Sequence, residues 1–196
     1  MASVIEFLLD RGTPFLVLPA PGATSIEATA AANGIGMDEV VRSELVISGM
    51  GPSLMVVRAT RSLDLGLAQT AVKDPSARRA TDQEIRELAP DCEVDSLPPL
   101  SLYLSAPMFV DPSVAAMDQI VFPGGRRSVL LAVERAELFR SEPSVVVALT
   151  RESYVPGEKI APSRRAALEE EDKLLPEHLR KDDDGPGQGG RRMIGG

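Results

Sequence analysis

Few side chains in this sequence can act as nucleophiles, transfer protons near neutral pH or bind transition metals. The chain of 196 residues has one cysteine, Cys92, and one histidine, His178. A zinc site built from such residues needs several of them, and a Ser-His-Asp triad needs a histidine beside its nucleophile, whereas His178 lies in a strongly charged segment. Cys92, without a histidine near it in sequence, is interpreted as an ordinary loop thiol. We expect neither a metal nor a cofactor.

Two aspartates next to turn-forming residues are candidates for a chemical role. Asp95 lies in the proline-rich stretch DCEVDSLPP, where it could act as a general base for water or be a solvated loop carboxylate. Asp111 directly precedes Pro112-Ser113, so it could bind a cationic group or only form the turn. Both interpretations stay open for each residue.

The run Gly124-Gly125-Arg126-Arg127 combines two glycines with two cations. Glycine allows a close approach of the backbone to a ligand, and neighbouring arginines suit a phosphate or a ribose. The alternative is a tight hairpin turn whose arginines are only solvated. Because the net charge is -8, the molecule as a whole repels polyanions. We therefore expect capture of one nucleotide end rather than binding to a long duplex.

Helix-like and strand-like segments follow one another along residues 1–150 and predict a mixed α+β domain. Apolar spacing and capping residues predict helices at 3–12, 26–33, 62–72, 82–88 and 134–139. Short apolar runs predict strands at 13–19, 39–48, 53–59, 101–110, 119–122, 128–133 and 144–149. The runs at 39–48 and 53–59 flank Gly49-Met50-Gly51-Pro52 and predict a hairpin. The strand at 13–19 is expected to be buried, and Pro123-Gly124-Gly125 is expected to end the strand at 119–122 in a turn.

The composition changes after residue 150. In residues 151–196, Pro, Gly and charged residues dominate, and such a segment buries too little apolar area to offset about 1–2 kcal/mol of backbone entropy per ordered residue. We predict a largely disordered tail with one helix at 163–175. No stretch approaches eighteen uncharged apolar residues, and Glu6 and Asp10 stand where a signal peptide has basic residues. The sequence therefore predicts a cytoplasmic protein without a membrane segment.

Four strings resemble the YbaK/EbsC family of aminoacyl-tRNA deacylases and prolyl-tRNA synthetase editing domains, over residues 3–140. They are TSIEATAAANGI, VVRSELVI, RSLDLGLA, and MFVDPSV followed by FPGGRRSVLL. The resemblance implies a compact mixed β sheet with surrounding helices. It also implies hydrolysis of the ester that joins a mischarged amino acid to the terminal ribose of tRNA. The partner it implies is the acceptor end of an aminoacyl-tRNA.

The resemblance also implies which residues hold the substrate. In the family, backbone amides of a loop and a lysine hold it, and a bound water or groups of the substrate complete the reaction. The matching substrate-binding positions are Thr24, Arg42, Ser96, Pro99, Gly124, Gly125 and Arg126. Asp111 matches the family's aspartate, which would hold a substrate amine or orient Arg42, and Asp95 and Asp111 are the candidate catalytic residues.

Three positions depart from the family pattern. Arg42 replaces the lysine; it keeps the charge and can grip a phosphate, but it is bulkier, and the alternative is a surface arginine paired with Glu44. Asp95 stands at a loop glycine and adds a negative charge beside an anionic substrate. Ala23 stands where the family often has a tyrosine, so one aromatic wall is missing. Two functions therefore stay open: an active trans-editing hydrolase, or an editing fold kept as a module that binds a ligand or, through its tail, a protein.

Overall fold

The computed structural model describes residues 3–153. The predictions for the rest of the tail, including the helix at 163–175 and a protein partner bound there, lie outside the described residues. Three residues that the sequence assigned to the tail, Arg151–Ser153, form a 3-10 turn. Side chains of this turn contact Asp64, Arg61 and Asp111 in the domain.

The described residues form two β-sheets and several short helices, which confirms the predicted α+β class. The helices are α1 (Val4–Asp10), α2 (Ile26–Ala32), α3 (Leu65–Val72), α4 (Asp82–Leu88), α5 (Ser101–Leu104), α6 (Pro112–Ala115) and α7 (Arg135–Ser141). The strands are β1 (Leu16–Pro19), β2 (Val41–Ser48), β3 (Gly51–Arg58), β4 (Arg78–Arg79), β5 (Met108–Val110), β6 (Gln119–Arg126), β7 (Val129–Glu134) and β8 (Ser144–Val146).

The predicted hairpin joins β2 and β3 and lies at the centre of the larger sheet. That sheet has the order β4-β2-β3-β5-β8, with β3, β5 and β8 parallel to one another, and the smaller sheet has the order β1-β7-β6. A bridge between Val40 and Val121 connects the two sheets. The architecture therefore includes parallel and antiparallel strand pairs, as the resemblance implied.

The alternation of side chains along β3 explains how one strand serves two hydrophobic clusters. Leu54 and Val56 join the main core with Phe122 of β6, whereas Met55 and Val57 pack on the opposite face with residues of α3. Successive side chains of a strand point to opposite faces, so a run without polar interruption is buried on both. A third cluster packs α2 against the smaller sheet.

The structure corrects the environment of β1. The strand exists where the sequence placed it, but Leu16 and Val17 are 62% and 44% exposed, so the expected burial is wrong. β1 pairs only with β7 and is an edge strand of the smaller sheet. Its apolar composition therefore reflects strand propensity rather than a place in the core.

The segment 101–110 is another correction, because its first part is a helix. Residues Ser101–Leu104 form α5, and only Met108–Val110 is a strand. The carboxylate of Glu142 accepts hydrogen bonds from the Ser101 hydroxyl and the Leu102 amide at 2.8 and 2.9 Å. This distant side chain satisfies donors at the helix start, which a local sequence pattern does not show.

The expected turn at Pro123-Gly124-Gly125 is also wrong. β6 continues through these residues to Arg126, with an irregularity between Pro123 and Arg126, and the chain reverses at Arg127-Ser128. Gly125 has φ +90°, and a Cβ atom there would lie 3.3 Å from Val4 and 3.4 Å from the Cys92 sulfur. The glycine thus belongs to an irregular part of β6 that lies against Val4 of α1.

Candidate functional site

A cavity of about 160 Å³ lies beside the first turn of α2 and the start of β2. Five of its lining residues are apolar: Ile26, Met37, Val40, Val41 and Ala59. Three are charged: Glu27, Arg42 and Asp95. An apolar pocket with a few polar groups is the usual form of a small-ligand site.

The start of α2 is fixed by Ser25, which brings two side chains to the cavity. The Ser25 hydroxyl accepts a hydrogen bond from the Ala28 amide at 3.2 Å, so Ser25 is the N-cap. Ile26 and Glu27 follow in the first helical turn and line the cavity. The helix is also attached to the β6–β7 turn, because the Thr29 hydroxyl donates to the Arg127 carbonyl oxygen.

Arg42 has two acceptors within the described residues and lines the cavity as well. One terminal nitrogen, Nη2, donates to the carbonyl oxygen of Arg61 at 3.0 Å and lies 3.2 Å from a carboxylate oxygen of Glu44. Its Nε is buried and has no hydrogen-bond partner in the part of the chain that the structure describes. The ion pair with Glu44 and the place at the cavity, which the sequence offered as alternatives, therefore occur together.

Asp95 also lines the cavity, and it is paired with a cation. Nε of Arg127 lies 2.7 Å from Oδ2 of Asp95, and the other oxygen accepts a weaker hydrogen bond of 3.3 Å from the Ser96 hydroxyl. The Asp95 side chain is 52% exposed. This partner raises the pKa of the Arg127 guanidinium above its ordinary value. Asp95 is thus a partly solvated carboxylate at the cavity, and its ion pair with Arg127 fixes its position.

An open groove of about 570 Å³ lies beside the same ion pair. Both Asp95 and Arg127 line it, together with Arg86 and Glu93. Glu93 accepts a hydrogen bond from the Arg127 amide at 2.8 Å, and its own amide donates to the Gly125 carbonyl oxygen. Asp95 therefore lines both the small cavity and the wider surface groove, whereas Arg127 lines only the groove.

The other substrate-binding positions that the resemblance implied do not line the cavity. Ser96 and Pro99 are buried and support the Asp95 loop without lining the cavity. Gly124, Gly125 and Arg126 belong to β6, and Arg126 is exposed. Thr24 is exposed and precedes the N-cap. The structure thus brings Arg42 and Asp95 together at one cavity, and places the other six predicted substrate-binding positions outside its lining.

Asp111 is completely buried and is surrounded by donors. Oδ1 accepts hydrogen bonds of 2.6 Å from the hydroxyls of Ser113 and Ser153, and Oδ2 accepts from the Leu149 and Thr150 amides at 3.0 and 3.2 Å. Burial alone would raise the pKa of Asp111, but these hydrogen bonds outweigh it and hold the pKa below its ordinary value. The turn with Pro112-Ser113 exists, and this environment favours a structural role over direct contact with substrate.

The side chain of Cys92 is buried. Burial raises the pKa of its thiol, and its sulfur lies 3.9 Å from the Tyr103 hydroxyl. A protonated, buried thiol is a poor nucleophile. Among residues 3–153, no cluster of His, Cys, Asp and Glu side chains has the arrangement of a metal site, and no helix in that range is long and apolar enough to cross a membrane.

Sequence reasoning missed Glu27, Met37 and Arg127 as parts of this region. Glu27 belongs to the string TSIEATAAANGI, which carries part of the family resemblance. Its place at the cavity depends on how α2 packs on the smaller sheet. Arg127 was visible as the second arginine of the Gly-Gly-Arg-Arg run. The pairing with Asp95, 32 positions earlier, decides that Arg127 rather than Arg126 contacts the loop.

The model of the aminoacyl-tRNA editing domain matches residues 20–141. This chain belongs to the aminoacyl-tRNA editing domain family. The match includes α2, the β2–β3 hairpin, the Asp95 loop and the β6–β7 hairpin, so every residue that lines the cavity lies within the editing domain. The resemblance inferred from the sequence is confirmed.

Solved structures support the same fold. One described as a "putative trans-editing enzyme for prolyl tRNA synthetase" is 26% identical, with a TM-score of 0.68, and the match covers 76% of this chain and 95% of that one. A hypothetical protein is 24% identical, with a TM-score of 0.67, and the match covers 76% and 99%. The second likeness shows the fold alone. No curated protein sequence matches the chain.

Proposed function

We propose that this editing domain acts in the cytoplasm as a trans-editing hydrolase, which cleaves the ester of a mischarged tRNA with the aminoacyl group in the 160 Å³ cavity. The observation that carries the proposal is that Arg42 and Asp95, from a strand and a loop far apart in sequence, line this one cavity beside α2. Convergence of separate elements on an apolar pocket is what a binding site requires.

The cavity offers complementary groups to each part of an aminoacyl ester. Its apolar walls suit a small aliphatic side chain, because contact with such walls removes apolar area from water. The carboxylate of Glu27 suits the substrate's α-ammonium group. Arg42 suits a phosphate or the ester carbonyl oxygen, on which negative charge develops when water attacks.

Hydrolysis needs only a positioned water molecule. Asp95 takes a proton from that water as the oxygen attacks the ester carbonyl, and the carbon–oxygen bond to the ribose breaks. The ribose oxygen accepts that proton back from Asp95, which leaves free tRNA, the amino acid and the ionised carboxylate. Arg127 fixes one oxygen of Asp95, so the other oxygen is the one that receives the proton. A general base of this kind contributes roughly 10²–10⁴-fold.

A second function is supported by the ion pair of Arg42. Glu44 already compensates the charge of Arg42, and contact between Arg42 and a substrate phosphate requires breaking this ion pair. A degenerate editing domain that binds a ligand without hydrolysis has no need to break it. The Arg42–Glu44 pair is the feature that favours this alternative.

Incubation of the full-length protein with a panel of mischarged tRNAs separates the two functions. The hydrolase predicts release of the amino acid above the rate without protein for at least one small aliphatic ester. Loss of that release in Asp95→Asn, with retained binding of the tRNA, assigns the hydrolysis to this cavity. Binding of tRNA without release from any ester of the panel would contradict the hydrolase and support the binding module.

A further inference from the structure

A hydrogen-bonded chain connects Arg42 with the residues that follow the editing domain. Nη2 of Arg42 donates to the carbonyl oxygen of Arg61 at 3.0 Å. Nη1 of Arg61 donates to the Ser153 hydroxyl at 2.6 Å, and that hydroxyl donates to Oδ1 of Asp111 at 2.6 Å. The chain thus runs from the cavity through Arg61 to a residue twelve positions beyond the matched range, which ends at residue 141.

The same C-terminal segment fixes the turn that contains Arg61. The amide of Asp64 donates to the Leu149 carbonyl oxygen at 2.8 Å, and Nε of Arg151 lies 2.8 Å from Oδ2 of Asp64. The Arg61 amide in turn donates to the carbonyl oxygen of Arg58, the last residue of β3. The Arg61 carbonyl, which accepts the hydrogen bond from Arg42, therefore belongs to a turn that is fixed by hydrogen bonds at both of its ends.

Electrostatics favours a single arrangement of this chain. Nη1 of Arg61 lies 3.8 Å from Oδ1 of the buried Asp111, so the carboxylate attracts the guanidinium while the Ser153 hydroxyl bridges them. A charge-assisted hydrogen bond in a partly buried place is stronger than one between neutral groups. Arg42, by contrast, has one backbone acceptor and the half-exposed pair with Glu44, so its direction depends on the Arg61 carbonyl.

We propose that Ser153 and Arg61 are positioning residues for Arg42, so that the segment Leu149–Ser153, beyond the matched editing domain, completes the site. The inference rests on the proposed function for the role of Arg42 with substrate, and on the hydrogen bonds above for its position. Neither residue contacts the cavity. Loss of the Ser153 hydroxyl removes a hydrogen bond from the Arg61 side chain, so the backbone carbonyl of Arg61 is held less firmly. The side chain of Arg42, which donates to that carbonyl, can then adopt a wider range of directions.

The test compares two serine substitutions in the full-length protein. Ser153→Ala removes the bridge between Arg61 and Asp111. Ser113→Ala is the matched control, because the Ser113 hydroxyl donates to the same oxygen of Asp111 at the same distance, 2.6 Å, and forms no hydrogen bond with Arg61 in the described structure. Ser153→Thr keeps the hydroxyl. Thermal unfolding of each variant measures any general loss of stability.

Two readouts follow the position of Arg42. The NMR signal of its Nε–H, a group that is buried, reports its environment without any substrate. We expect Ser153→Ala to shift this signal and speed its exchange with water, Ser113→Ala to leave it in place, and Ser153→Thr to restore it. With an aminoacyl-tRNA that the wild type hydrolyses, we expect Ser153→Ala to raise KM roughly 2- to 10-fold with a smaller change in kcat.

The outcomes separate this inference from the proposed function. An Arg42 signal that changes equally in Ser153→Ala and Ser113→Ala, or in neither, would overturn the positioning role. A change confined to Ser153→Ala supports it. A wild type that hydrolyses no ester contradicts the proposed hydrolase, while the Arg42 signal still supports or overturns the positioning role by the same comparison.

Discussion

Nε of Arg127 lies 2.7 Å from Oδ2 of Asp95, although 32 positions separate the two residues. The pair joins the loop before α5 to the turn between β6 and β7. The resemblance predicted a glycine-type loop position at residue 95; the structure has the Asp95 carboxylate at the cavity, beside a cation that neutralises it. A held carboxylate beside an apolar pocket is suited to activate a water molecule.

Asp95→Asn tests this role. We expect deacylation to fall by roughly 100-fold or more, because asparagine keeps the shape of the side chain but does not accept a proton. The measurement is the single-turnover rate of amino acid release from a tRNA that the wild type hydrolyses.

Glu93→Gln is the matched control for Asp95→Asn. Glu93 also interacts with Arg127 but lines only the outer groove. We expect a change of less than about threefold, which corresponds to the small value of an exposed ion pair. Equal losses in the two variants would assign the effect to Arg127, and a faster reaction in Asp95→Gly would show that the carboxylate hinders the substrate.

Arg42→Gln is expected to weaken substrate binding. The variant removes the cation that we propose faces a phosphate or carbonyl oxygen of the substrate. Hydrogen bonds to charged groups contribute about 1.5–3 kcal/mol, or roughly 10- to 150-fold in KM. Arg79→Gln is the control, since Arg79 also pairs with Glu44, at 2.9 Å, but does not line the cavity. Similar KM values for the two variants would remove Arg42 from the substrate site.

Local sequence patterns predicted most helices and strands because the responsible interactions are local. α2 begins at a serine cap and contains four alanines, and α4 begins with a capping box between Thr81 and Glu84. The β2–β3 hairpin was predicted from two apolar runs around glycines, and its two-residue turn is Gly49-Met50. In each case the residues that decide the structure lie within a few positions of it.

The features that sequence reasoning missed depend on contacts between distant residues. The segment that forms α5 was predicted as a strand. The acceptor for the donors at the start of this helix is Glu142, about forty positions away, so no local pattern indicates the helix. Arg127 entered the site through its pairing with Asp95, and Glu27 through the placement of α2. The family resemblance assigned Arg42 to the site, yet it did not indicate that the Arg61 carbonyl oxygen accepts a hydrogen bond from Arg42.

Ile26→Ala tests whether the apolar wall of the cavity selects the aminoacyl group. Removal of three carbon atoms enlarges the cavity, so we expect larger aliphatic esters to gain roughly 10-fold relative to the smallest one in kcat/KM. Ile35→Ala is the control, because Ile35 packs on the same hydrophobic cluster but does not line the cavity. An unchanged ratio of kcat/KM values in Ile26→Ala would place the aminoacyl side chain elsewhere.

Asp111→Asn tests the structural role of the buried carboxylate through pH. The pKa of Asp111 is below its ordinary value in the folded protein, so the ionised form stabilises the fold. That contribution is fully present above the unfolded pKa of about 3.9 and is lost as pH falls through the lower folded pKa. The variant replaces an acceptor by a donor opposite several donors, and we expect a loss of about 3 kcal/mol near neutral pH.

Urea unfolding between about pH 3 and 6 measures both effects, given the carboxyl pKa range. We expect the wild type to lose stability toward the acid end, and Asp111→Asn to be less stable at pH 6 and to show a shallower decline. Asp118→Asn is the control at an exposed aspartate, and it should follow the wild-type curve. Parallel curves for Asp111→Asn and the wild type would contradict the prediction. They would mean that Asp111 contributes no pH-dependent stability, despite its hydrogen bonds with Ser113, Ser153, Leu149 and Thr150.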